Sequence, residues 1–405
     1  MSLAGVRLLC VLPQLPHDCA SGAARSTRTI CEMLSAAGCT VRTLGTTASE
    51  QGGPSNALTA LRELGIQPQV EPGRTAQRIR PEIAFSDRGI GYLLLDTGGR
   101  SMLGWQELYG KQFDRMFDDQ IHGFRPHLLF GYGGLPGDIR RYQRARRQGV
   151  RLVFALRNAH YQGRGLLEHM DGILTPSRFL TDLYRESVGV ESTPLPTPID
   201  PEDVVAEDRD PIFFTMINPS PEKGMMFVAR LAEELSVRRP DIPMLIVESR
   251  GSAGHLLQAG LRGGFDLSRH PNLMMSPPLN PPREIYVPTR ALLVPSVGPE
   301  AFARVAAEAF MNGIPPLVSD RGGLPEACEE AGFVLPFAED MTPGMREPVA
   351  SEVVQPWLEL MIRLAGDASF YEQECGKALE AGKRFAPATV APRYVQFFDS
   401  IVNGK

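Results

Sequence analysis

The feature that most constrains the fold is an alternation, run through twice, of short apolar runs with longer amphipathic stretches. Residues 7–12 read as a buried strand and residues 13–22 as a loop. Residues 23–37 carry apolar side chains at helical spacing, with Gly38 as the stop. Runs at 41–44, 127–130, 152–156 and 172–175 continue the strand series. The pattern restarts after residue 200, with strands at 212–217, 243–247, 273–275, 291–294 and 316–318 and a strong helix over 225–237. Strand–helix alternation predicts parallel sheets covered by helices. A chain of 405 residues exceeds what one core usually organises, so two such domains are expected. The prolines of Leu195-Pro196-Thr197-Pro198 disfavour helix and mark the boundary.

The densest chemical signal is Glu300-Ala301-Phe302-Ala303-Arg304-Val305-Ala306-Ala307-Glu308. From Arg304 to Met311 the residues form helix well, and Asn312-Gly313 ends the run. Val294-Pro295-Ser296 reads as a strand closing in a turn, so Glu300 falls in the loop before a helix and Glu308 inside it. Amides at that helix start suit a phosphate, because N–H donors and the dipole both favour an anion. A nearby carboxylate accepts two hydrogen bonds and can grip the vicinal hydroxyls of a ribose or hexose. Glutamates at this spacing are also common on solvated helix faces, so the spacing alone leaves both readings open.

Context narrows them. Pro219-Ser220-Pro221-Glu222-Lys223-Gly224 after a strand, then Val294-Pro295-Ser296 with Glu300 and Glu308, then Ser319-Asp320-Arg321-Gly322-Gly323-Leu324-Pro325-Glu326, resembles glycosyltransferase family 4. Its members are retaining enzymes of the GT-B fold. A looser similarity runs through Gly22-Ala23-Ala24-Arg25 and Leu174-Thr175-Pro176-Ser177. The resemblance implies an α/β chain of two Rossmann-like domains facing across a cleft. Residues 1–198 would bind the acceptor and residues 199–388 a nucleoside-diphosphate sugar, with a helix in 389–405 packing back on the first domain. It further implies hexosyl transfer with retention to an unidentified acceptor hydroxyl, from a UDP-sugar in preference to a GDP-sugar. No metal and no cofactor are implied beyond the donor as co-substrate.

By the same resemblance, Lys223 would neutralise the donor diphosphate, Glu300 would hold the donor sugar and Glu308 the ribose. The backbone of Ala303, Arg304 and Val305 would cradle the distal phosphate, and Gly22 would be a further donor contact. Two positions depart from the family pattern. Asn218 stands five residues before the lysine, where an arginine is common, which leaves Arg304 or Arg250 to compensate. The run Leu156-Arg157-Asn158-Ala159-His160 stands where many members carry a histidine near the transferred sugar, making Arg157 and His160 candidate catalytic contacts. Glu248 and Arg250 follow a predicted strand end, where this fold places ligands, although such loops are also ordinary surface. Two rival readings remain: a sugar-nucleotide epimerase on the same architecture, and a degenerate, non-catalytic binder of sugar nucleotides or glycans.

Other features exclude alternatives. No Gly-x-x-x-x-Gly-Lys-Ser/Thr loop exists. Asp208-Arg209-Asp210 matches a metal-binding pattern but falls in a charged segment that reads as a solvated turn. Residues 140–151 hold six arginines, which could meet an anionic membrane surface. A helix packed on a sheet needs a charged outer face, which favours the solvated reading, and no stacking aromatics accompany the arginines to suggest nucleic acid. Residues 1–199 hold 23 Lys and Arg against 18 Asp and Glu, the remainder 19 against 29, so the two halves carry opposite charge. Six cysteines without a Cys-x-x-Cys pair suggest reduced structural thiols. With no apolar run long enough to span a bilayer and no signal-peptide pattern, a cytoplasmic protein is expected, peripheral to the membrane at most.

Overall fold

A computed structural model describes residues 3–49, 57–73, 79–161 and 164–404. The chain divides into two compact units: residues 1–176, 180–198 and 387–405 form the first, and residues 177–179 and 199–386 the second.

The first unit is built on a nine-stranded sheet. Its strands are β1 (Arg7–Val11), β2 (Thr40–Thr46), β3 (Gln69–Glu71), β4 (Glu82–Asp87), β5 (Ile90–Leu95), β6 (Leu128–Gly131), β7 (Arg151–Ala155), β8 (Gly172–Thr175) and β9 (Thr193–Pro194), in spatial order β3-β4-β5-β2-β1-β6-β7-β8-β9. From β5 to β9 every pairing is parallel. The β4–β5 pair is an antiparallel hairpin that the expected strand–helix alternation did not include. Its two turn residues, Arg88 and Gly89, have φ of 44° and 78°, the left-handed pair that a two-residue hairpin demands. The last helix, Pro387–Asn403, belongs to this unit: Phe398 meets Phe130 edge-on at 5.3 Å, and the Tyr394 hydroxyl donates to Pro196 O at 3.2 Å.

The second unit has six strands, all parallel: β10 (Phe213–Ile217), β11 (Met244–Val247), β12 (Leu273–Ser276), β13 (Thr289–Val294), β14 (Pro316–Ser319) and β15 (Phe333–Leu335). Their order, β12-β11-β10-β13-β14-β15, is that of a doubly wound sheet. Helix Met225–Arg238 buries Met226, Phe227, Leu231 and Leu235 on one face of it, with Trp357 from the helix Ser351–Gly366. Helix Arg304–Met311 buries Ala306, Ala309 and Phe310 in a second cluster with Leu292, Val318 and Phe385. Both faces are therefore covered, which is why these strands read as continuous apolar runs.

Strand order reverses between β10 and β13, the two neighbours at the centre of this sheet. In open α/β sheets the crevice for ligands lies beyond the carboxyl ends of the strands flanking such a reversal.

Candidate functional site in the second unit

Three loops converge beyond those strand ends. After β10, Asn218 turns the chain at φ 64°, and a short 3-10 turn, Pro221–Lys223, leads to Gly224 at φ 83°. A Cβ on Gly224 would lie 1.9 Å from Pro295 O, so only glycine lets this loop lie against the one after β13. The Glu222 carbonyl then accepts from Val297 N (3.0 Å) and Gly298 N (3.2 Å). After β14, Gly323 N donates to Glu300 O at 2.7 Å. Gly322, at φ 62°, lies so close that a Cβ there would be 2.4 Å from that same oxygen.

This framework brings Lys223 and Glu300 together. Lys223 Nζ donates to Glu300 Oε1, and Ser296 Oγ donates to the same oxygen at 2.6 Å. The lysine side chain is 34% exposed and the glutamate 16%, so the pair borders solvent. Glu308 lies deeper. It is 3% exposed, its Oε2 accepts from the Tyr286 hydroxyl at 2.6 Å, and its Oε1 stands 2.7 Å from Arg304 Nε. Ala303, the N-cap of helix Arg304–Met311, has no side chain to cap it, and no intrahelical acceptor precedes the first amides of that helix. The Arg304 amide donates instead to Phe302 O at 3.0 Å, and the Val305 amide follows it.

Two other donor-contact candidates of this unit, Asn218 and Glu248, also hold the loops together. Asn218 Oδ1 accepts from Gly251 N at 2.6 Å and locks the β10 and β11 loops together. Glu248 Oε1 accepts from Ala253 N (2.7 Å) and Ser252 Oγ (3.2 Å), capping the helix Ala253–Arg262. Arg250 is exposed on the same loop. Arg209, inside the Asp-x-Asp pattern, donates to Asn312 O at 2.6 Å, Thr289 O at 2.7 Å and Tyr286 O at 3.4 Å. That segment is a clasp, and no group of metal-ligating side chains occurs among the described residues.

The first unit holds the remaining candidates. Gly22 opens the helix Gly22–Ala36, whose N-cap Ser21 accepts from Ala24 N. Arg157 follows β7. Burial lowers its pKa from the ordinary arginine value, while Tyr394 and Tyr132 act the other way, Tyr394 also by a hydrogen bond. Its Nε and Nη2 are buried without an acceptor among the described residues. His160 is exposed, with its backbone N–H bound by Asn158 Oδ1 at 2.9 Å. The arginine-rich segment is largely paired internally. Arg141 is 2% exposed and reaches Asp114 (2.7 Å) and Asp138 (3.0 Å). Arg144 pairs with Asp118, and Arg151 with Asp171 at 2.9 Å. Arg140 and Arg147 are exposed, as are Arg146 and Arg151, which both lie within 4 Å of Asp171. No helix among the described residues is long and apolar enough to cross a membrane.

Two partners escaped the sequence reading. Ser296 was visible as the end of a strand but carried no sign that its hydroxyl would meet Glu300. Tyr286 lies 22 residues before Glu308 in an unremarkable apolar stretch, and nothing local signals the contact.

Protein-family profiles and curated proteins give no match to the chain. Solved structures do. Sucrose-phosphate synthase from Thermosynechococcus elongatus superposes with a TM-score of 0.69 at 14% identity, over 98% of this chain and 100% of that one. The catalytic domain of starch synthase IV from Arabidopsis thaliana, bound to ADP and acarbose, gives 0.67 at 11% identity, over 99% and 100%. HepE from Anabaena in complex with UDP-glucose gives 0.65 at 15% identity, over 97% and 99%. These are glycosyltransferases of GT-B type. The chain has their fold along its whole length.

Proposed function

We propose that the protein is a glycosyltransferase that moves a sugar from a nucleoside-diphosphate sugar, UDP-linked in preference to GDP-linked, to an acceptor hydroxyl with retention at the anomeric carbon. The observation that carries this reading is the grouping of Lys223, Glu300, Ser296 and an uncapped helix start at the strand-order reversal of a doubly wound sheet. Neighbours of the same fold were solved with UDP, UDP-glucose or ADP.

In this reading Lys223 and the amides from Ala303 to Val305 stabilise the charge that grows on the diphosphate as the bond from anomeric carbon to phosphate oxygen breaks. That oxygen takes the acceptor's proton as the acceptor oxygen bonds to the same face of the sugar. Glu300 orients the sugar and Glu308 the ribose, each by accepting from hydroxyls. Arg157 and His160 are the proposed contacts of the first unit to the reacting sugars. The work assigned to metal elsewhere falls to Lys223 and the helix start, so no metal is required. Membrane contact would rest on the exposed Arg140, Arg146, Arg147 and Arg151.

Asn218 favours one other reading, a non-catalytic binder, because its side chain is engaged by Gly251. Thermal shifts with UDP, ADP, GDP and their glucose esters, with and without EDTA, followed by assays for release of free nucleotide, test both. Stabilisation by one nucleotide series with turnover that survives chelation is expected. Stabilisation without turnover on any acceptor leaves the binder, and no stabilisation at all removes the nucleotide-sugar reading.

A further inference from the structure

Arg304 is oddly placed for a structural residue. It is the first residue of an eight-residue helix, where a cation opposes the positive end of the helix dipole. Its partner Glu308 stands four residues later, so the pair runs cation-first, the less favourable order for such a pair on a helix. Helical side chains lean toward the helix N-terminus, which would aim this guanidinium at the helix start rather than one turn on to Glu308. Even so, the arginine side chain is only 11% exposed and the glutamate 4%. A helix start without a side-chain cap and a guanidinium sequestered against Glu308 thus stand together, and an anion placed there would be attracted by both.

The same arrangement recurs a few residues away. Lys223 is held by Glu300, as Arg304 is held by Glu308. In each pair, the carboxylate that would grip sugar hydroxyls binds the cation that a diphosphate would attract. Asn218 cannot add positive charge here, since it is uncharged and its carbonyl is bound to Gly251 N.

Resting on the nucleotide-sugar reading above, we propose that Arg304 is the second cation of the diphosphate site and that donor binding exchanges two internal ion pairs for two substrate contacts. When the ribose hydroxyls occupy Glu308, the guanidinium is released toward the distal phosphate. When the sugar occupies Glu300, Lys223 turns to the same diphosphate. The two pairs are neutral together, and a ligand must supply both hydroxyls and the distal phosphate to replace them. A nucleoside monophosphate offers the ribose without the second phosphate, so it replaces only half of what it displaces.

Calorimetric titration of UDP and UMP against the wild type, Arg304→Gln and Arg304→Lys tests this, with ADP and AMP as a second series. Arg304→Gln is expected to weaken UDP by about tenfold or more, the scale of a charge-assisted hydrogen bond, and UMP by no more than about threefold. Arg304→Lys keeps the charge but loses the planar fork, so a smaller loss confined to the diphosphate is expected. Equal losses for UDP and UMP would overturn the proposal, leaving Arg304 as a prop for Glu308. Equal gains would also overturn it, leaving Arg304 as an obstruction. If Arg304→Gln does not fold, the lysine variant decides by the same ratio. A wild type that binds neither series removes the nucleotide-sugar reading itself, an outcome visible before any variant is made.

Discussion

Gly224→Ala is the substitution for which the structure gives the sharpest expectation. Gly224 has φ 83°, and a side chain in that left-handed region costs about 1–2 kcal/mol. The added carbon would also sit 1.9 Å from the Pro295 carbonyl oxygen, so the two loops must part by roughly 1.5 Å before ordinary contact is restored. Forced overpacking of that kind costs about 1–3 kcal/mol more. The total, about 2–5 kcal/mol, corresponds to a fall of roughly 5–15 °C in the melting of a unit this size. The displaced loop carries Lys223, so the pairing with Glu300 should loosen and UDP affinity should fall by about tenfold. Gly376→Ala is the control: that glycine lies inside the helix Ala368–Gly382 with nothing within 4 Å of the added carbon. It should stabilise by about 0.5–1 kcal/mol. Calorimetric melting and UDP titration of the three proteins give the answer. A Gly224→Ala protein that melts within about 2 °C of the wild type and binds UDP unchanged refutes the loop contact as the device that places Lys223.

Three further outcomes follow from the same geometry. Asn218→Arg, which restores the cation common in the resembling family, should cost about 1–2 kcal/mol by losing the bond to Gly251 N at φ 64° and should leave UDP affinity no better. A tenfold tighter UDP complex by titration would show that this position does serve the diphosphate. His17 Nε2 lies 3.1 Å from Asp87 Oδ2, and this hydrogen bond holds the Asp87 carboxyl below its ordinary value against the opposing effect of burial. That contribution is present above the unfolded value of about 3.9 and is lost as pH falls through the lower folded one, so denaturant melts of Asp87→Asn between pH 3 and 5 should show a flatter acid dependence than the wild type. Within the arginine-rich segment, Arg141→Ala removes the buried cation shared by Asp138 and Asp114 and should cost about 2–4 kcal/mol in urea unfolding, whereas the exposed Arg147→Glu should change stability by less than about 0.5 kcal/mol.

What the sequence made legible, and what it did not, divides along a physical line. Strands buried on both faces must be apolar throughout, so the parallel parts of both sheets could be read from runs such as 127–130 and 291–294. The hairpin of β4 and β5 broke the rule because Tyr92 and Leu94 point inward from a strand that pairs with its own neighbour. The only local sign was Asp87-Arg88-Gly89-Ile90, a turn in which arginine takes a conformation usually left to asparagine or glycine. In the candidate site, Gly224, Gly322 and Gly323 stood in the motifs that carry the resemblance, and the structure shows why glycine is needed there: loops approach closely at each. Contacts made by side chains across the sheet could not. Whether Glu308 would be free for a ribose or engaged depended on Tyr286, 22 residues earlier, and on an arginine one turn before it. The arginine-rich segment shows the same limit from the other side. Its charge looked like a surface for a partner, but Asp114 and Asp118 from one helix and Asp171 from a later loop take most of it. A charge in sequence therefore becomes a functional statement only when its counter-charge is known. That condition turns the self-paired Lys223–Glu300 and Arg304–Glu308 groups from a list of candidates into a site with a defined resting state, one that a donor must open by replacing each internal partner with an equivalent of its own.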